Sequence, residues 1–371
     1  MNKTMPSYWK TVFIILFVAT SSFSFAAGSA PAQPAGQYLG APVLLKAEVK
    51  TPARPKNAAP VPTGVWLIAS SNTPWKCAPG TYSFEIPVPN QSNRTFTLFI
   101  PSKYSSSSVY PLVFFCHGGG GTGQNAMNHY GWQTVAEREG FIMVYPDGST
   151  DGQSKRTWNA GHGCGYAWEK RIDDIGFLSF LIGAIKQMVK IDSSRIYCAG
   201  FSNGAMMTHY LGSMIPGILA AISTCAGSIG GQAIPQASYW SIPTPKCPLP
   251  VIDFHGKLDD EVSYFGGKHT NTIDPNRSDS NVNDAIAFWV KVNGCSHIPK
   301  CVVSGSSNII TDTYSNANDS AAVVLYTIEN QAHAYPGSTL GAMGADSAAT
   351  PTQEISAAEL SWSFFKAHKK K

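Results

Sequence analysis

Arg195-Ile-Tyr-Cys-Ala-Gly-Phe-Ser-Asn-Gly-Ala-Met-Met207 joins a short apolar run, which stops at Gly200, to a helix-forming run that starts after Gly204. Ser202 sits at the joint. Gly-x-Ser-x-Gly in this setting is the sequence form of a nucleophile elbow, in which flanking glycines let a strand turn sharply into a helix and leave the serine exposed. The pentapeptide recurs by chance in glycine-rich chains, and a serine or asparagine here also suits a helix cap. The surrounding sequence has to separate the two.

A serine hydroxyl is inert at neutral pH without a base to take its proton. Of the nine histidines, His333 is the best placed, in the loop Glu329-Asn-Gln-Ala-His-Ala-Tyr-Pro-Gly337 directly after an apolar run. His117 and His255 each end a predicted strand just before a glycine, a position suited to bracing a loop. His129, His162, His209, His269, His297 and His368 have no comparable context. An acid must hold the base in its tautomer, and His255-Gly-Lys-Leu-Asp-Asp-Glu-Val262 offers Asp259, with Asp260 in reserve. The chain order Ser, Asp, His is that of α/β-hydrolases. Acyl transfer also needs donors for an oxyanion. His117-Gly-Gly-Gly-Gly-Thr-Gly123 supplies unshielded N–H groups, and Gly118 or Gly119 with Asn203 would form the hole. A phosphate-binding loop is the rival reading of these glycines, but no Gly-Lys-Ser/Thr follows.

Working outward, Tyr82–Val88 and Arg94–Ile100 alternate with period two across a polar turn, predicting an antiparallel hairpin. Strands are expected at Leu112–Cys116, Phe141–Tyr145, Arg195–Ala199, Leu219–Ser223, Val251–Phe254 and Val323–Ile328. Helices are expected at Ala126–Glu139, Asp174–Val189, Ala205–Met214, Asn283–Val292 and Thr352–His368. Ile175, Leu178, Ile182, Ile185 and Val189 form the stripe of a helix packed on a sheet. The alternation predicts an α/β protein with a mostly parallel central sheet, helices on both faces and an antiparallel N-terminal hairpin.

Met1-Asn-Lys3 and Lys10 precede an apolar stretch from Val12 to Phe25 and small residues at Ala26 and Ala27, the pattern of a secretory signal peptide over residues 1–26. Residues 27–63, rich in Ala and Pro, read as a tether, and residues 64–371 as one catalytic domain. A soluble, exported protein, extracellular or periplasmic, is expected, with no membrane association once the signal is removed.

Formal net charge is +4 and only 13% of residues are charged, against about 25% in typical soluble chains. That excludes a nucleic-acid footprint and suits an uncharged partner. Eight cysteines in an exported chain permit disulfides, and Cys295 with Cys301, separated by Pro299, is the first pair expected. Cys116, Cys198 and Cys225 fall in or beside strands, where buried free thiols are the alternative. No metal motif is present.

Together, Cys116–Gly123, Glu139–Gly148, Trp158-Asn-Ala-Gly161, Ile172-Asp-Asp-Ile-Gly-Phe177, Gly200–Gly204, His255–Tyr264 and His333–Gly337 resemble the poly(3-hydroxybutyrate) depolymerase and feruloyl or acetylxylan esterase family, in order, from about Tyr82 to Phe365. The resemblance implies an α/β-hydrolase fold with nucleophile Ser202, acid Asp259 and base His333. It also implies either a cleft lined by Trp158 and Asn159 or a structural role for them, with Tyr335 beside the base and counted among the substrate-binding candidates. Asp173 and Asp174 match paired acids before a helix, for which capping is a sufficient role.

Family members that attack solid polymer usually add a linker and a binding domain, whereas this sequence reaches Lys371 straight after its last predicted helix. Short oligoesters or aryl esters are therefore expected as readily as crystalline polymer. The expected protein is a secreted monomeric serine esterase without cofactor, acting on hydroxybutyrate oligomers or polymer. Feruloyl or acetylxylan esters are the alternative substrates, and a serine peptidase or a non-catalytic binding protein is a more distant reading.

Overall fold

The computed structural model describes residues 78–86, 88, 93–268, 276–304, 308–316, 322–340 and 350–370. The expected signal peptide and tether lie outside them.

The elements run β1 (Gly80–Ile86), β2 (Arg94–Ile100), β3 (Tyr110–Cys116), α1 (Gly123–His129), α2 (Trp132–Glu139), β4 (Ile142–Pro146), α3 (Gly165–Glu169), α4 (Asp174–Met188), β5 (Ile191–Phe201), α5 (Asn203–Met214) and β6 (Ala221–Cys225). There follow β7 (Gly230–Gln232), β8 (Trp240–Ser241), β9 (Val251–Gly256), β10 (Gly267–Lys268), β11 (Ser278–Asp279), α6 (Val282–Val292), β12 (Lys300–Val303), β13 (Ile309–Ser315), β14 (Ala322–Ile328) and α7 (Ala357–Ala367).

Ten strands form one sheet in the order β1-β2-β4-β3-β5-β6-β9-β14-β13-β12. Pairing from β4 through β14 is parallel, and the hairpin β1–β2 and the edge β13–β12 are antiparallel. The hairpin register sets Phe84 opposite Phe96, and their rings stack 5.0 Å apart.

Side chains alternate across a strand, so β3 sends Leu112, Phe114 and Cys116 into one core and Val113 and Phe115 into the other. Leu178, Leu181, Ile182 and Ile185 of α4 and Trp289 of α6 close the first core. Trp132 of α2 and Trp362 and Phe365 of α7 close the second. Burial on both faces is what a near-continuous apolar strand requires.

Several elements depart from expectation, among them the five-residue α3, which was not predicted. The helix predicted over Ala126–Glu139 is two, because Gly131 at φ 77° breaks it and caps α2. Strands β12 and β13 were not expected: β13, Ile-Ile-Thr-Asp-Thr-Tyr-Ser, is half-buried near the sheet's edge, where polar residues are tolerated. The second sheet, β10-β11-β7-β8, is made of strands of two or three residues, too short to leave a periodic signal.

No disulfide links the described cysteines, and the bridge expected between Cys295 and Cys301 is not formed. Cys301 is exposed on β12, whereas Cys295 is buried beside the Asn293 carbonyl, 3.9 Å from its Sγ. Cys116, Cys198 and Cys225 are buried free thiols.

Of the paired acids before α4, only Asp173 is the cap, accepting from the Gly176 N–H at 2.8 Å. Asp174 is fully buried and pairs with Arg94 at 2.7 Å, while its other oxygen accepts from the Asn159 N–H at 2.7 Å. The Arg94 guanidinium lies 4.0 Å over the Phe177 ring. Burial pushes the Asp174 carboxyl up, and Arg94 offsets part of that. The pair ties the start of β2 to the start of α4. Arg94→Met would leave a buried carboxylate unpaired, so urea titration should read a loss of about 3–5 kcal/mol.

Candidate active site

The last residue of β5 and the first of α5 flank Ser202, whose backbone has φ 55° and ψ −126°, a conformation costly for any residue with a side chain. Three contacts hold it. The Ser202 N–H donates to the Cys225 carbonyl of the neighbouring strand at 2.9 Å. A Cβ at Gly200 would lie 2.2 Å from the Gly204 carbonyl oxygen. One at Gly204 would lie 2.0 Å from the Cys116 carbonyl oxygen and 2.4 Å from that of His117. Both glycines of the motif are thus sterically required.

The His333 Nε2 lies 2.8 Å from the Ser202 Oγ, and its Nδ1 lies 2.8 Å from the Asp259 Oδ2. The other Asp259 oxygen accepts from the Glu261 and Val262 N–H groups at 3.0 and 2.9 Å. Burial opposes ionisation of Asp259, but the imidazoles of His333 and His255 outweigh it and hold the carboxyl well below the usual carboxylate range. Asp259, not the exposed Asp260, is therefore the carboxylate in contact with His333.

The loops that carry these groups interlock. The Leu258 N–H donates to the Gln331 carbonyl at 3.0 Å, and a Cβ at Gly256 would lie 2.2 Å from that same oxygen. Gln331 spans its own loop, donating to the Ala334 carbonyl at 3.0 Å.

The glycine loop after β3 packs on the elbow, and a Cβ at Gly118 would be 3.3 Å from that of Ser202. The N–H groups of Gly120, Gly121 and Gly123 are engaged by the Arg156 carbonyl, the Gly118 carbonyl and the Asp147 carboxylate. The N–H groups of Gly118 and Gly119 have no such partner among the described residues. Asn203 opens α5, where first-turn N–H groups have no partner within the helix.

His117 fixes this loop as a neutral ring. Its Nε2 accepts from the Gly148 N–H at 2.9 Å, leaving Nδ1 to donate to the Gly118 carbonyl at 2.7 Å. Burial pushes its pKa down.

The residues expected to line a cleft do not. Trp158 is 0% exposed. Its indole donates to the His117 carbonyl at 2.9 Å, and its backbone exchanges two hydrogen bonds with the Asn203 side chain at 2.7 and 3.0 Å. Trp158 and Asn203 therefore brace the elbow against the glycine loop. Asn159 is half-buried and donates to the Ile172 carbonyl at 2.8 Å, holding its own loop. Tyr335 is buried, accepts from the Trp132 indole at 2.9 Å and packs edge-on against Phe201 and Phe115, anchoring the loop of His333. An aromatic next to a functional loop reads alike in sequence whether it faces the cleft or the core.

Of the remaining buried histidines, His255 braces a loop, as its place before a glycine suggested, whereas His162 carried no specific sequence signal. His255 is fully buried, with Nε2 2.7 Å from the Val262 carbonyl and 3.4 Å from the Asp259 Oδ2. His162, Ser228 and Asp279 meet in a second buried cluster, with His162 Nε2 3.0 Å from each of the other two. Among the described residues, no group of three or more His, Cys, Asp or Glu is arranged to hold a metal.

A mostly parallel sheet in this strand order, with a serine on a strained turn between its central strand and the following helix, defines an α/β-hydrolase. Residues 94–243 match the sequence model of the family described as Esterase PHB depolymerase. It is 26% identical over 248 residues to feruloyl esterase B of Piromyces equi, covering 67% of this chain and 44% of that protein. It is 30% identical over 174 residues to the bifunctional acetylxylan esterase/xylanase XynS20E of Neocallimastix patriciarum, covering 47% of this chain and 22% of that protein. The chain thus spans less than half the length of either. Poly(3-hydroxyalkanoate) depolymerase C of Paucimonas lemoignei is 24% identical over 267 residues, covering 67% of this chain and 60% of that protein. Among solved structures, acetyl xylan esterase from Aspergillus awamori aligns over 65% of this chain and 89% of that one, at 19% identity and a TM-score of 0.42.

Asp259 also makes stability depend on pH. Its folded pKa lies below the roughly 3.9 of an unfolded aspartate. The ionised carboxylate therefore adds stability that is fully present above about pH 4 and is lost as pH falls toward the folded value. Asp259→Asn should unfold more easily than wild type at pH 7, and the gap should narrow by about 1 kcal/mol per pH unit below pH 4. A gap constant from pH 7 to pH 3 in urea titrations would contradict this.

Proposed function

We propose that the chain hydrolyses carboxylic esters through an acyl-enzyme on Ser202. The observation that carries this reading is the pair of 2.8 Å contacts from His333 to Ser202 and to Asp259. In the proposed sequence, His333 takes the Ser202 proton as the hydroxyl oxygen attacks the ester carbonyl. Asp259 holds the ring in the tautomer that accepts at Nε2 and stabilises the imidazolium that forms. The oxyanion is met by the N–H groups of Asn203 and of Gly118 or Gly119, each donor lowering the barrier by about 3 kcal/mol. His333 then returns the proton to the departing alcohol, and water repeats the cycle on the acyl-enzyme with His333 as base.

Substrates of the family's kind are neutral esters, in keeping with a chain in which 13% of residues are charged. Oligomers of 3-hydroxyalkanoate are our first reading, supported by the family match and by the Paucimonas lemoignei relative. Feruloyl or acetyl esters of plant polysaccharide are the second, supported by the names of the Piromyces and Neocallimastix relatives. The proposed enzyme is an exported monomer needing neither metal nor organic cofactor. Export rests on the signal-like pattern before Ala27, and no helix among the described residues is long and apolar enough to cross a membrane.

Ser202→Ala should lower ester turnover on the order of a millionfold with an unchanged melting temperature. Asp259→Asn should cost about ten-thousandfold. Labelling by a fluorophosphonate should be strong in wild type and lost in Ser202→Ala, and an unlabelled wild type sinks the proposal. Hydroxybutyrate oligomers, methyl ferulate and acetylated xylan assayed side by side decide the substrate.

A further inference from the structure

Behind the triad-like contacts lies a second imidazole with no assigned role. His255 ends β9 and is fully buried. Its Nε2 donates to the Val262 carbonyl at 2.7 Å. The N–H of that same residue donates to Asp259. His255 therefore closes the turn 259–262 that presents the acid. It also faces the acid directly, 3.4 Å from the Asp259 oxygen that contacts His333.

The other side of the ring points to charge. The His255 Nδ1 and the Asp253 Oδ2 are buried polar atoms without a hydrogen-bond partner among the described residues. Asp253 lies two residues back on β9, hence on the same face of the sheet, with its other oxygen accepting from Thr224 at 2.7 Å. The Asp259 carboxylate at 3.4 Å, with Asp253 acting at longer range, favours a proton on each nitrogen.

We propose that His255 is a positioning residue for Asp259, an imidazolium at neutral pH that braces the acid's turn and tempers the acid's pull on the proton of His333. The inference rests on the hydrolytic reading of Ser202, His333 and Asp259. Groups facing His255 come from every side: Asp253 on its own strand, Asp259 and Tyr264 in the following loop, His209 on α5, and His333 beyond Asp259. Burial works against a charge on His255, while the nearby Asp259 carboxylate, Asp253 at longer range and the Val262 carbonyl favour it, and the balance raises its pKa. His209 is the complement. Burial and the neighbouring His255 push it down to about 3, and its Nδ1 accepts from the Trp289 indole at 3.0 Å, as a neutral ring must.

The cation and His333 approach the same Asp259 oxygen, at 3.4 and 2.8 Å, and compete for it. Removing its charge while keeping its donor should make His333 easier to protonate. In His255→Gln the acidic limb of kcat/KM should therefore move up by roughly 0.5–1 pH unit with KM nearly unchanged. His255→Leu also loses the bond to Val262 and should lose roughly ten- to a hundredfold in kcat through misplacement of the acid.

A readout independent of turnover is the ¹⁵N NMR spectrum of histidine-labelled wild-type protein, assigned with His255→Gln. Both nitrogens of His255 should be protonated at pH 7, and the His333 midpoint should rise in the variant. A neutral His255 with a bare Nδ1 in wild type overturns the proposal, as does an unmoved His333 midpoint in a folded His255→Gln. If wild type neither hydrolyses esters nor labels with fluorophosphonate, the hydrolytic reading fails by itself, and the His255 spectrum still decides the protonation claim.

Discussion

The close approach of Gly204 to the end of β3 is the constraint on which the site depends. With 2.0 Å between a would-be Cβ and the Cys116 carbonyl oxygen, no other residue lets α5 start so near the neighbouring strand. That proximity is what tilts the first turn of α5 over the glycine loop. It also places Asn203 where its side chain can hold both backbone groups of Trp158. The strained backbone of Ser202 follows from the same crowding. A costly φ persists only where the surroundings determine it, and here the Cys225 carbonyl, the two glycines and the Asn203–Trp158–His117 contacts do so together.

Asp259 and His333 are held by a similar economy of backbone. β9 and β14 are adjacent and parallel, so the loops leaving their C-terminal ends emerge side by side. Gly256 lets the Gln331 carbonyl come in close, and that oxygen then receives the Leu258 N–H. Two loops separated by 74 residues thereby reach a 2.8 Å contact between His333 and Asp259. Tyr335, anchored on Trp132, keeps the loop of His333 from drifting outward.

Much of this was legible because period and punctuation agreed. The hairpin Tyr82–Ile100 and the stripe of α4 sit within a residue or two of the predicted bounds, and the strand into Gly200 was found but begins four residues earlier, at Ile191. The strand-end positions of Asp259 and His333 followed from asking where loops must leave the sheet. What stayed hidden depended on partners distant in sequence. Asp174 looked like a cap because the sequence does not reveal Arg94 as its counter-ion. Trp158 and Tyr335 looked like cleft residues because an aromatic's direction is settled by packing. Neither the two-residue strands of the second sheet nor the half-buried β13 carries enough apolar alternation to announce itself.

Charge is scarce in this chain, yet several of its carboxylates and guanidiniums are buried around the site. Arg94 with Asp174 and Arg277 with Asp279 both lie almost wholly out of water. Asp253 and Asp259, near His255, are buried in the same way. Buried pairs seldom add net stability over apolar residues of similar volume, so their value here lies in direction. Each fixes one loop against another at an angle that apolar packing leaves loose. Arg94 sets the hairpin against the loop of Trp158, which in turn sets Asn203 and the elbow. Arg277 donates to the Glu261 carbonyl at 3.3 Å, within the turn that presents Asp259. Positional accuracy at Ser202, His333 and Asp259 is therefore supplied by the buried polar contacts that hold the loops around them.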